Sequence, residues 1–245
     1  LDWLMLHEFG HEWWANLVTA SDWRDFWIHE GFQSFMDTLY TEETKGKEEY
    51  FKAMQDRAKA TRNMQPVAPR EPKIAYQVYM AEPDYLKSDG DIYGKGAVVL
   101  HTLRYLIGDA AFFRALRRMA YPTKAMEKIT DGRQTRLVNT DDFLTIAEQE
   151  SKMELDWFFE MYLRQPKLPE LKTAIGDYRE EPNAASKKTM LLRWVTPNDM
   201  PFPMPVEVVV DGKTLRVELK GGKGNVIFTG DAPIVDPKGW VLKAQ

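Results

Sequence analysis

The sequence predicts a multidomain fold of α and β structure, with a helical portion over residues 1–168 and a small antiparallel β domain over residues 169–245. One observation is the distribution of proline: residues 1–65 contain none, whereas residues 166–245 contain nine of the fourteen. The other is the spacing of apolar residues, which changes after Pro166 from a helical period of about 3.6 residues to a strand period of about 2. A chain of 245 residues is long enough for one core and a smaller companion domain.

Composition excludes several classes of partner and of site. Lys and Arg number 33 against 37 Asp and Glu, which gives a net charge of −4. This charge does not favour binding to nucleic acid or to an anionic membrane. No apolar run approaches the roughly 18 residues of a membrane-spanning helix. The absence of cysteine excludes disulfides, thiolate metal sites and a thiol nucleophile, and it leaves cytoplasmic and exported locations equally compatible. A peptide or small-molecule partner is favoured.

Helical spacing of apolar residues predicts seven helices in the first portion. They cover residues 1–18, 30–43, 47–63, 95–107, 109–120, 140–151 and 154–164. Asp109 is the expected N-cap of the fifth helix. Prolines between Met64 and Asp91 predict a long irregular segment. We expect His101 to be a satisfied histidine of the core and Arg104 to lie on a solvated helix face.

The clearest strand signal is a hairpin over Met204–Leu219, in which Asp211 and Gly212 form a two-residue turn. Pairing across this turn predicts four cross-strand partners: Val210–Lys213, Val208–Leu215, Val206–Val217 and Glu207–Arg216. The apolar pairs would face the core and the ion pair would face solvent. Further strands are expected from about Leu171 and over Thr189–Val195, Asn225–Thr229 and Trp240–Lys243.

The residues that carry chemistry begin with the pattern HExxH, formed by His7, Glu8 and His11. At about 100° per residue, positions 7 and 11 lie one turn apart on the same helix face, so both imidazoles can reach one Zn²⁺. Glu8 follows the first ligand, where its carboxylate can take a proton from the attacking water. Zinc lowers the pKa of bound water to around 7 and polarises a scissile carbonyl. The pattern predicts one zinc ion per chain and a hydrolytic reaction.

A catalytic zinc site normally has three protein ligands and one open position. Glu30 follows His11 after eighteen intervening residues and begins an apolar-periodic helix, so a helix hairpin would bring its carboxylate back to the metal. His29 is the chemical alternative as third ligand. Asp22, Asp25 or His29 could orient the ligand histidines through their second ring nitrogens.

The stretch HEFGHEWWANLVTASDWRDFWIHEGFQSF, which starts at His7, is similar to the zinc core of the aminopeptidase N family of gluzincin metallopeptidases. That family has HExxH, eighteen residues and then Glu. The resemblance implies His7, His11 and Glu30 as zinc ligands and Glu8 as the general base.

Two later segments extend the resemblance. The sequence DIYGKGA resembles the tyrosine segment of the family, which implies that the phenol of Tyr93 stabilises the oxyanion of the tetrahedral intermediate. The sequences LDWFFEMYLRQPKLPEL and DPKGWVLK are similar to the family's bacterial members. The resemblance therefore covers nearly the whole chain. It implies a thermolysin-like catalytic domain followed by a β-sandwich-like domain, and hydrolysis of peptides that have a free N-terminus.

The chain also departs from the family. Family members carry an upstream β domain and a Gly-x-Met-Glu-Asn strand that grips the substrate amine, and neither is in this sequence. Because Leu1 already lies inside a predicted helix, we expect a fragment or processed chain that lacks an N-terminal segment of the same protein. Glu12 and His29 stand where Gln and Asn are common. The alternatives are a catalytically silent zinc-stabilised scaffold or interaction module, and a different zinc hydrolase of the same fold.

Overall fold

The computed structural model describes residues 2–80, 91–178 and 187–244. The chain divides into two compact units, Leu1–Lys167 and Leu168–Gln245. The first unit is mainly helical, and the second contains two antiparallel sheets. The predicted combination of helices with antiparallel sheets is therefore confirmed. Within these described ranges, no helix has the length and apolar character needed to span a membrane.

The first unit consists of helices joined by shorter helical turns. Its helices in the described ranges are α1 (Trp3–Gly10), α2 (Trp27–Lys45), α3 (Lys47–Ala60), α4 (Gly96–Ile107), α5 (Asp109–Ala120), α6 (Thr140–Ser151) and α7 (Asp156–Phe159). The turns are Glu12–Leu17, Trp23–Asp25, Tyr76–Met80, Asp91–Lys95, Met126–Lys128 and Glu160–Arg164. Two short strands, β1 (Val18–Ala20) and β2 (Arg136–Val138), pair in parallel.

The core of this unit is built around α2. Every residue from Trp27 to Phe35 is buried, and Trp27, Phe32 and Phe35 have no exposed surface. The ring centroid of Phe32 lies 4.9 Å from that of Phe143 on α6, and the ring centroid of Phe35 lies 5.3 Å from that of Phe112 on α5. Burial of one such side chain contributes roughly 1.5–3 kcal/mol. These contacts hold α2 firmly in place.

Two glycines allow α2 to touch the segment that leads into α4. A Cβ atom at Gly31 would lie 2.9 Å from the carbonyl oxygen of Ile92 and 3.0 Å from the Cα of Gly96. A Cβ atom at Gly96 would lie 2.9 Å from the Cα of Gly31. All three distances are shorter than van der Waals contact. The two backbones therefore meet directly, and a larger residue at either position would push them apart.

The first helix is shorter than its apolar periodicity predicts. The prediction of a helix as far as Val18 is confirmed only in part, because α1 ends at Gly10 and the π-helical turn Glu12–Leu17 that follows is interrupted at Trp14 and Ala15. Trp14 leaves the helical region with φ −99° and ψ 64°, and its carbonyl accepts a hydrogen bond of 2.9 Å from Nδ1 of His11. From Val18 the backbone is extended, because β1 satisfies its hydrogen bonds by pairing with β2.

The start of α5 also differs from its prediction. Gly108, with φ 80°, is the N-cap residue and Asp109 is the first helical residue, so Asp109 is not the N-cap. Its carboxylate instead accepts a hydrogen bond of 2.9 Å from Nε of Arg104. Arg104, expected on a solvated face, is buried and also pairs with Glu42 at 2.6 Å. His101 is buried and bonded as expected.

The other helix predictions are confirmed within a few residues, except that the last predicted helix is only partly α-helical. The helix predicted over residues 154–164 begins at Asp156 and continues as a π-helical turn from Glu160. Of the predicted irregular segment, the structure describes residues 64–80 and Asp91. Residues 64–80 form loop and the helical turn Tyr76–Met80, and Asp91 begins the helical turn Asp91–Lys95. The rest of that prediction, residues 81–90, lies outside the described residues.

The second unit contains two three-stranded antiparallel sheets in its described part. One sheet has the order β3–β4–β7, with β3 (Glu170–Tyr178), β4 (Lys187–Val195) and β7 (Lys223–Phe228). The other has the order β6–β5–β8, with β5 (Val206–Val210), β6 (Lys213–Val217) and β8 (Ile234–Val235). The predicted hairpin is confirmed, because β5 and β6 pair in the predicted register at all four positions. Leu215, however, is 43% exposed, so the apolar face is covered mainly on the β5 side.

The prediction of a final strand over Trp240–Lys243 is wrong. The backbone amides of Trp240 and Val241 donate hydrogen bonds of 2.7 and 3.2 Å to the buried carboxylate of Asp236. The ammonium group of Lys243 pairs with the same carboxylate. Because one side chain collects these donors, the segment forms a turn and does not join either sheet.

Candidate active site

The three predicted metal ligands, His7, His11 and Glu30, meet at one point. Oε2 of Glu30 lies 3.3 Å from Nε2 of His7 and 3.5 Å from Nε2 of His11. One ligand atom from each residue lies within 4.8 Å of the other two. Zinc bonds of about 2.0–2.1 Å in tetrahedral directions separate neighbouring ligand atoms by about 3.4 Å. The donor types and their spacing therefore fit a zinc ion.

The second ring nitrogen of each histidine is held by a hydrogen bond. Nδ1 of His7 lies 2.7 Å from Oδ2 of Asp37, and Nδ1 of His11 lies 2.9 Å from the carbonyl oxygen of Trp14. Both partners are acceptors, so each Nδ1 must carry the hydrogen. In the neutral tautomer this leaves Nε2 with a free lone pair, which points towards Glu30 in both cases.

The surrounding carboxylates favour positive charge at this point. Hydrogen bonds to Asp37 and to Glu30 raise the pKa of His7 to about 9. The pKa of His11 is also raised, mainly by its hydrogen bond to Glu30. The metal-free site therefore holds a proton on His7 at neutral pH, and a divalent cation would have to displace it.

The residues suggested as alternatives bind elsewhere. Nε2 of His29 accepts a hydrogen bond of 2.8 Å from the backbone amide of Ala20. Burial lowers the pKa of His29 to about 4, so this ring is neutral. Asp22 and Asp25, suggested as orienting carboxylates, accept hydrogen bonds from backbone amides and, for Asp25, from the hydroxyl of Thr140. Among the described residues, Asp37 and the carbonyl of Trp14 hold the second ring nitrogens of the ligand pair, and these three residues do not.

The ligands line a cleft of about 640 Å³ that also includes Glu8 and Tyr93. Glu8 is exposed, and its carboxylate makes no hydrogen bond or ion pair with the residues that the structure describes. It follows His7 on α1, so it lies beside the ligand cluster and is available to a water molecule in the cleft.

Tyr93 approaches the ligand cluster from the π-helical turn Asp91–Lys95. Its ring is half-buried and stacks on the imidazole of His7, with 6.2 Å between centroids and 26° between planes. The close contact of Gly31 with Gly96 brings this turn against the start of α2. The phenol is thereby held on the cleft wall beside the ligands.

Two further side chains anchor this turn. The carboxylate of Asp91 accepts hydrogen bonds of 2.8 and 2.7 Å from the backbone amides of Arg62 and Asn63, which follow α3. The ammonium group of Lys95 is fully buried and donates a hydrogen bond of 3.0 Å to the carbonyl oxygen of Pro166. Burial lowers the pKa of Lys95 to about 8. Both ends of the turn are therefore fixed by polar contacts.

Comparison with known proteins identifies the family. The model described as "Peptidase family M1 domain" matches residues 2–162, which is most of the chain. The chain belongs to peptidase family M1. This result confirms the resemblance to the aminopeptidase N family, and the matched M1 domain includes every predicted site residue.

Relatives of this M1 domain include named aminopeptidases. Aminopeptidase N of Lactococcus lactis subsp. lactis is 25% identical over 177 residues, which cover 71% of this chain and 20% of the relative. Glutamyl aminopeptidase of Bitis rhinoceros is 29% identical over 178 residues, which cover 71% of this chain and 17% of the relative. The chain therefore spans about a fifth of the length of these relatives.

Solved structures show the same fold. Legionella pneumophila aminopeptidase A, crystallised in complex with aspartic acid, matches with a TM-score of 0.65 and 18% identity over 95% of this chain and 25% of that one. The M1 zinc metallopeptidase of Deinococcus radiodurans matches with a TM-score of 0.52 and 23% identity over 69% of this chain and 34% of that one.

Sequence reasoning missed several residues that shape the site of this M1 domain. Asp37 carries a usable signal, because it lies seven residues after Glu30, two turns along the same face of α2. No local sequence pattern indicates the roles of the Trp14 carbonyl or of Asp91 and Lys95, which fix the turn that carries Tyr93. Their roles depend on contacts between segments that are distant in sequence.

Replacing Asp37 by Asn should weaken zinc binding by about 10- to 100-fold at pH 9, because hydrogen-bond partners of ligand histidines typically contribute this much. The difference in zinc affinity between Asp37→Asn and the parent should become smaller as pH falls. In the parent, zinc displaces a proton from a His7 with a pKa of about 9, so affinity decreases by about tenfold per pH unit below pH 9. In Asp37→Asn the pKa of His7 moves towards 6.5, so this competition begins only at lower pH.

Zinc titrations in metal buffers at pH 9 and pH 6.5 measure both effects. Asp56→Asn is the matched control, because Asp56 is an exposed carboxylate on α3 whose ion pair with Lys59 lies outside the cleft. Equal zinc affinities of the parent and Asp37→Asn at pH 9 would contradict the orienting role of Asp37.

Proposed function

We propose that this chain is the zinc-binding part of an M1 aminopeptidase that hydrolyses the first peptide bond of peptides with a free N-terminus. The observation that carries the proposal is the meeting of two imidazole nitrogens and one carboxylate oxygen at separations of 3.3 and 3.5 Å. We further propose that residues 1–168 are the helical part of a thermolysin-like catalytic domain and that residues 169–245 form a β-sandwich-like domain.

In this proposal His7, His11 and Glu30 hold one zinc ion. When bound, zinc lowers the pKa of water to around 7 and polarises the scissile carbonyl. Glu8, with no partner in the described part of the chain, takes a proton from the attacking water and returns it to the leaving amine. The phenol of Tyr93, fixed beside His7, donates a hydrogen bond to the oxyanion of the tetrahedral intermediate.

Recognition of the substrate's free amine needs acidic or amide groups near the open end of the cleft. The family resemblance assigns this role to a strand that is not in this sequence. We propose that other residues of the same protein supply it. The named relatives, which include an aminopeptidase N and a glutamyl aminopeptidase, support an N-terminal mode of cleavage.

A zinc-stabilised scaffold or interaction module without catalysis is the second candidate. Exposed apolar side chains along α1 favour it, because contiguous apolar patches often mark interaction surfaces. These side chains are Trp3, Leu4, Met5 and Phe9, each at least half exposed.

One assay separates the two candidates. The zinc-loaded chain is incubated with an aminoacyl fluorogenic amide and, in parallel, with its N-acetylated analogue. An aminopeptidase cleaves only the free-amine substrate, and turnover stops when zinc is removed by a chelator. Cleavage of both substrates would indicate a zinc hydrolase without N-terminal specificity. Stoichiometric zinc binding with no turnover of either substrate, by this chain and by the full-length protein alike, would favour the scaffold.

A further inference from the structure

Arg57 lies on the last turns of α3 and lines the same cleft as the predicted metal ligands. Its backbone lies near the tyrosine segment, since the carbonyl oxygen of Arg57 lies 4.0 Å from where a Cβ atom of Gly94 would stand. Arg57 therefore belongs to the wall of the cleft that also carries Tyr93. Neither the proposed hydrolysis nor the metal site uses this guanidinium.

The guanidinium of Arg57 is half-buried and makes no hydrogen bond or ion pair with any residue in the described ranges. Other arginines of this unit are paired: Arg104 with Glu42, Arg117 with Glu127 and Arg164 with Asp141, at 2.6–2.8 Å. An arginine has five N–H donors in a planar fork that matches a carboxylate. Donors that are partly removed from water and form no hydrogen bond are unfavourable, unless a ligand accepts hydrogen bonds from them.

Burial lowers the pKa of Arg57, and the negative charge of Asp37 opposes this shift. Both oxygens of Asp37 already have partners, since Oδ2 bonds His7 at 2.7 Å and Oδ1 accepts 2.9 Å from Gln33. The remaining fixed charges on the lining are those of Glu8 and Glu30, both negative. Arg57 is thus the one permanently charged cation on the described cleft wall, and a substrate carboxylate that enters the cleft has this group to pair with.

We propose that Arg57 binds a carboxylate of the peptide substrate. This inference rests on the proposed peptidase function and adds a substrate class to it. The carboxylate has two sources in a peptide with a free N-terminus. It is either the acidic side chain of the first residue or the C-terminal carboxylate of a dipeptide. In both cases the guanidinium of Arg57 donates two parallel hydrogen bonds to the carboxylate.

The test measures binding by calorimetry and does not depend on turnover. In the first arm, zinc-loaded chain is titrated with the α-hydroxamates of glutamic acid and of glutamine, which share the zinc-binding group and differ in side-chain charge. In the second arm, leucyl-alanine and its C-terminal amide are compared in the Glu8→Gln background, in which the dipeptide is not consumed. Each arm is repeated with Arg57→Gln, Arg57→Lys and the control Lys59→Gln, which removes a charge from the same helix at an exposed position.

We expect the parent to bind the carboxylate member of at least one pair about tenfold more tightly or better, as for a charge-assisted hydrogen bond. The arm that shows the preference identifies the source of the carboxylate. Arg57→Gln should lose the preference, Arg57→Lys should keep part of it, and Lys59→Gln should keep all of it.

Equal affinities within both pairs for the parent, or an unchanged preference in Arg57→Gln, would overturn the inference while leaving the peptidase proposal intact. If Arg57→Gln lowers only the melting temperature or the zinc affinity, Arg57 has a structural role through Asp37 and the inference is wrong. Failure of the chain to bind zinc and hydroxamate at all would overturn the proposed function, and this inference with it.

Discussion

Glu8→Gln should reduce kcat/KM for an aminoacyl amide by about 100- to 10,000-fold while zinc affinity stays within a few-fold of the parent value. Glutamine keeps the shape of the side chain but cannot accept the proton of the attacking water. Glu8 is exposed in the cleft and has no partner among the described residues. Its replacement by glutamine therefore leaves no buried polar group without a hydrogen bond. The loss should therefore appear in turnover and not in folding. Zinc titration, thermal unfolding and steady-state kinetics on one preparation measure these three quantities.

Glu12→Gln is the matched control for this prediction. Glu12 lies one turn further along from Glu8, is exposed, and does not line the cleft. Its carboxylate accepts a hydrogen bond of 3.2 Å from the side-chain amide of Asn16, which Gln can also accept. Full turnover is expected. Retained turnover in Glu8→Gln, or a large loss of zinc in that variant, would contradict the assignment of Glu8 as a base that does not bind the metal.

The elements that sequence predicted well are those that depend on local rules. The two-residue turn at Asp211 and Gly212 determines which residues face each other across the hairpin, and the observed register of β5 and β6 follows from it. The helical spacing of His7 and His11 is equally local. The structure brings both within 4.8 Å of Glu30, although eighteen residues separate Glu30 from the second histidine.

The elements that sequence predicted poorly depend on competition between segments. Apolar periodicity continues beyond Gly10, but pairing of β1 with β2 and the bond from His11 to Trp14 end the helix there. Similarly, the segment Trp240–Lys243 has strand-like residues, yet the buried carboxylate of Asp236 takes its amide donors. Such outcomes depend on a partner that the local sequence does not contain.

The same distinction applies to the candidate site. The residue types at the metal follow from a motif, whereas the position of Tyr93 depends on tertiary contacts. Asp91 binds the end of α3, Lys95 binds the carbonyl of Pro166, and Gly96 meets Gly31. A motif alone therefore indicates the tyrosine, and the packing of α2 against its segment determines how close the phenol comes to the predicted zinc ligands.

Gly31→Ala tests that packing, and we expect it to destabilise the chain by about 1–3 kcal/mol, the usual cost of overpacking a core. The added Cβ would lie 2.9 Å from the carbonyl oxygen of Ile92 and 3.0 Å from the Cα of Gly96. Both are backbone atoms, so relief requires the turn that carries Tyr93 to move away from α2. A displacement of about 1 Å at a catalytic group can lower the rate by roughly 100-fold. Because Tyr93 is proposed to act on the oxyanion, kcat should fall much more than KM changes.

Gly94→Ala provides the matched control in the same turn, because its nearest neighbour would be 4.0 Å away and its φ does not require glycine. It should unfold at or slightly above the parent temperature and keep its activity. Gly96→Ala, whose Cβ would lie 2.9 Å from the Cα of Gly31, should behave like Gly31→Ala. Thermal unfolding, zinc titration and steady-state kinetics of the three variants separate displacement of Tyr93 from loss of the metal. If Gly31→Ala matched Gly94→Ala in both stability and kcat, the direct contact of the two backbones would not be what positions the phenol.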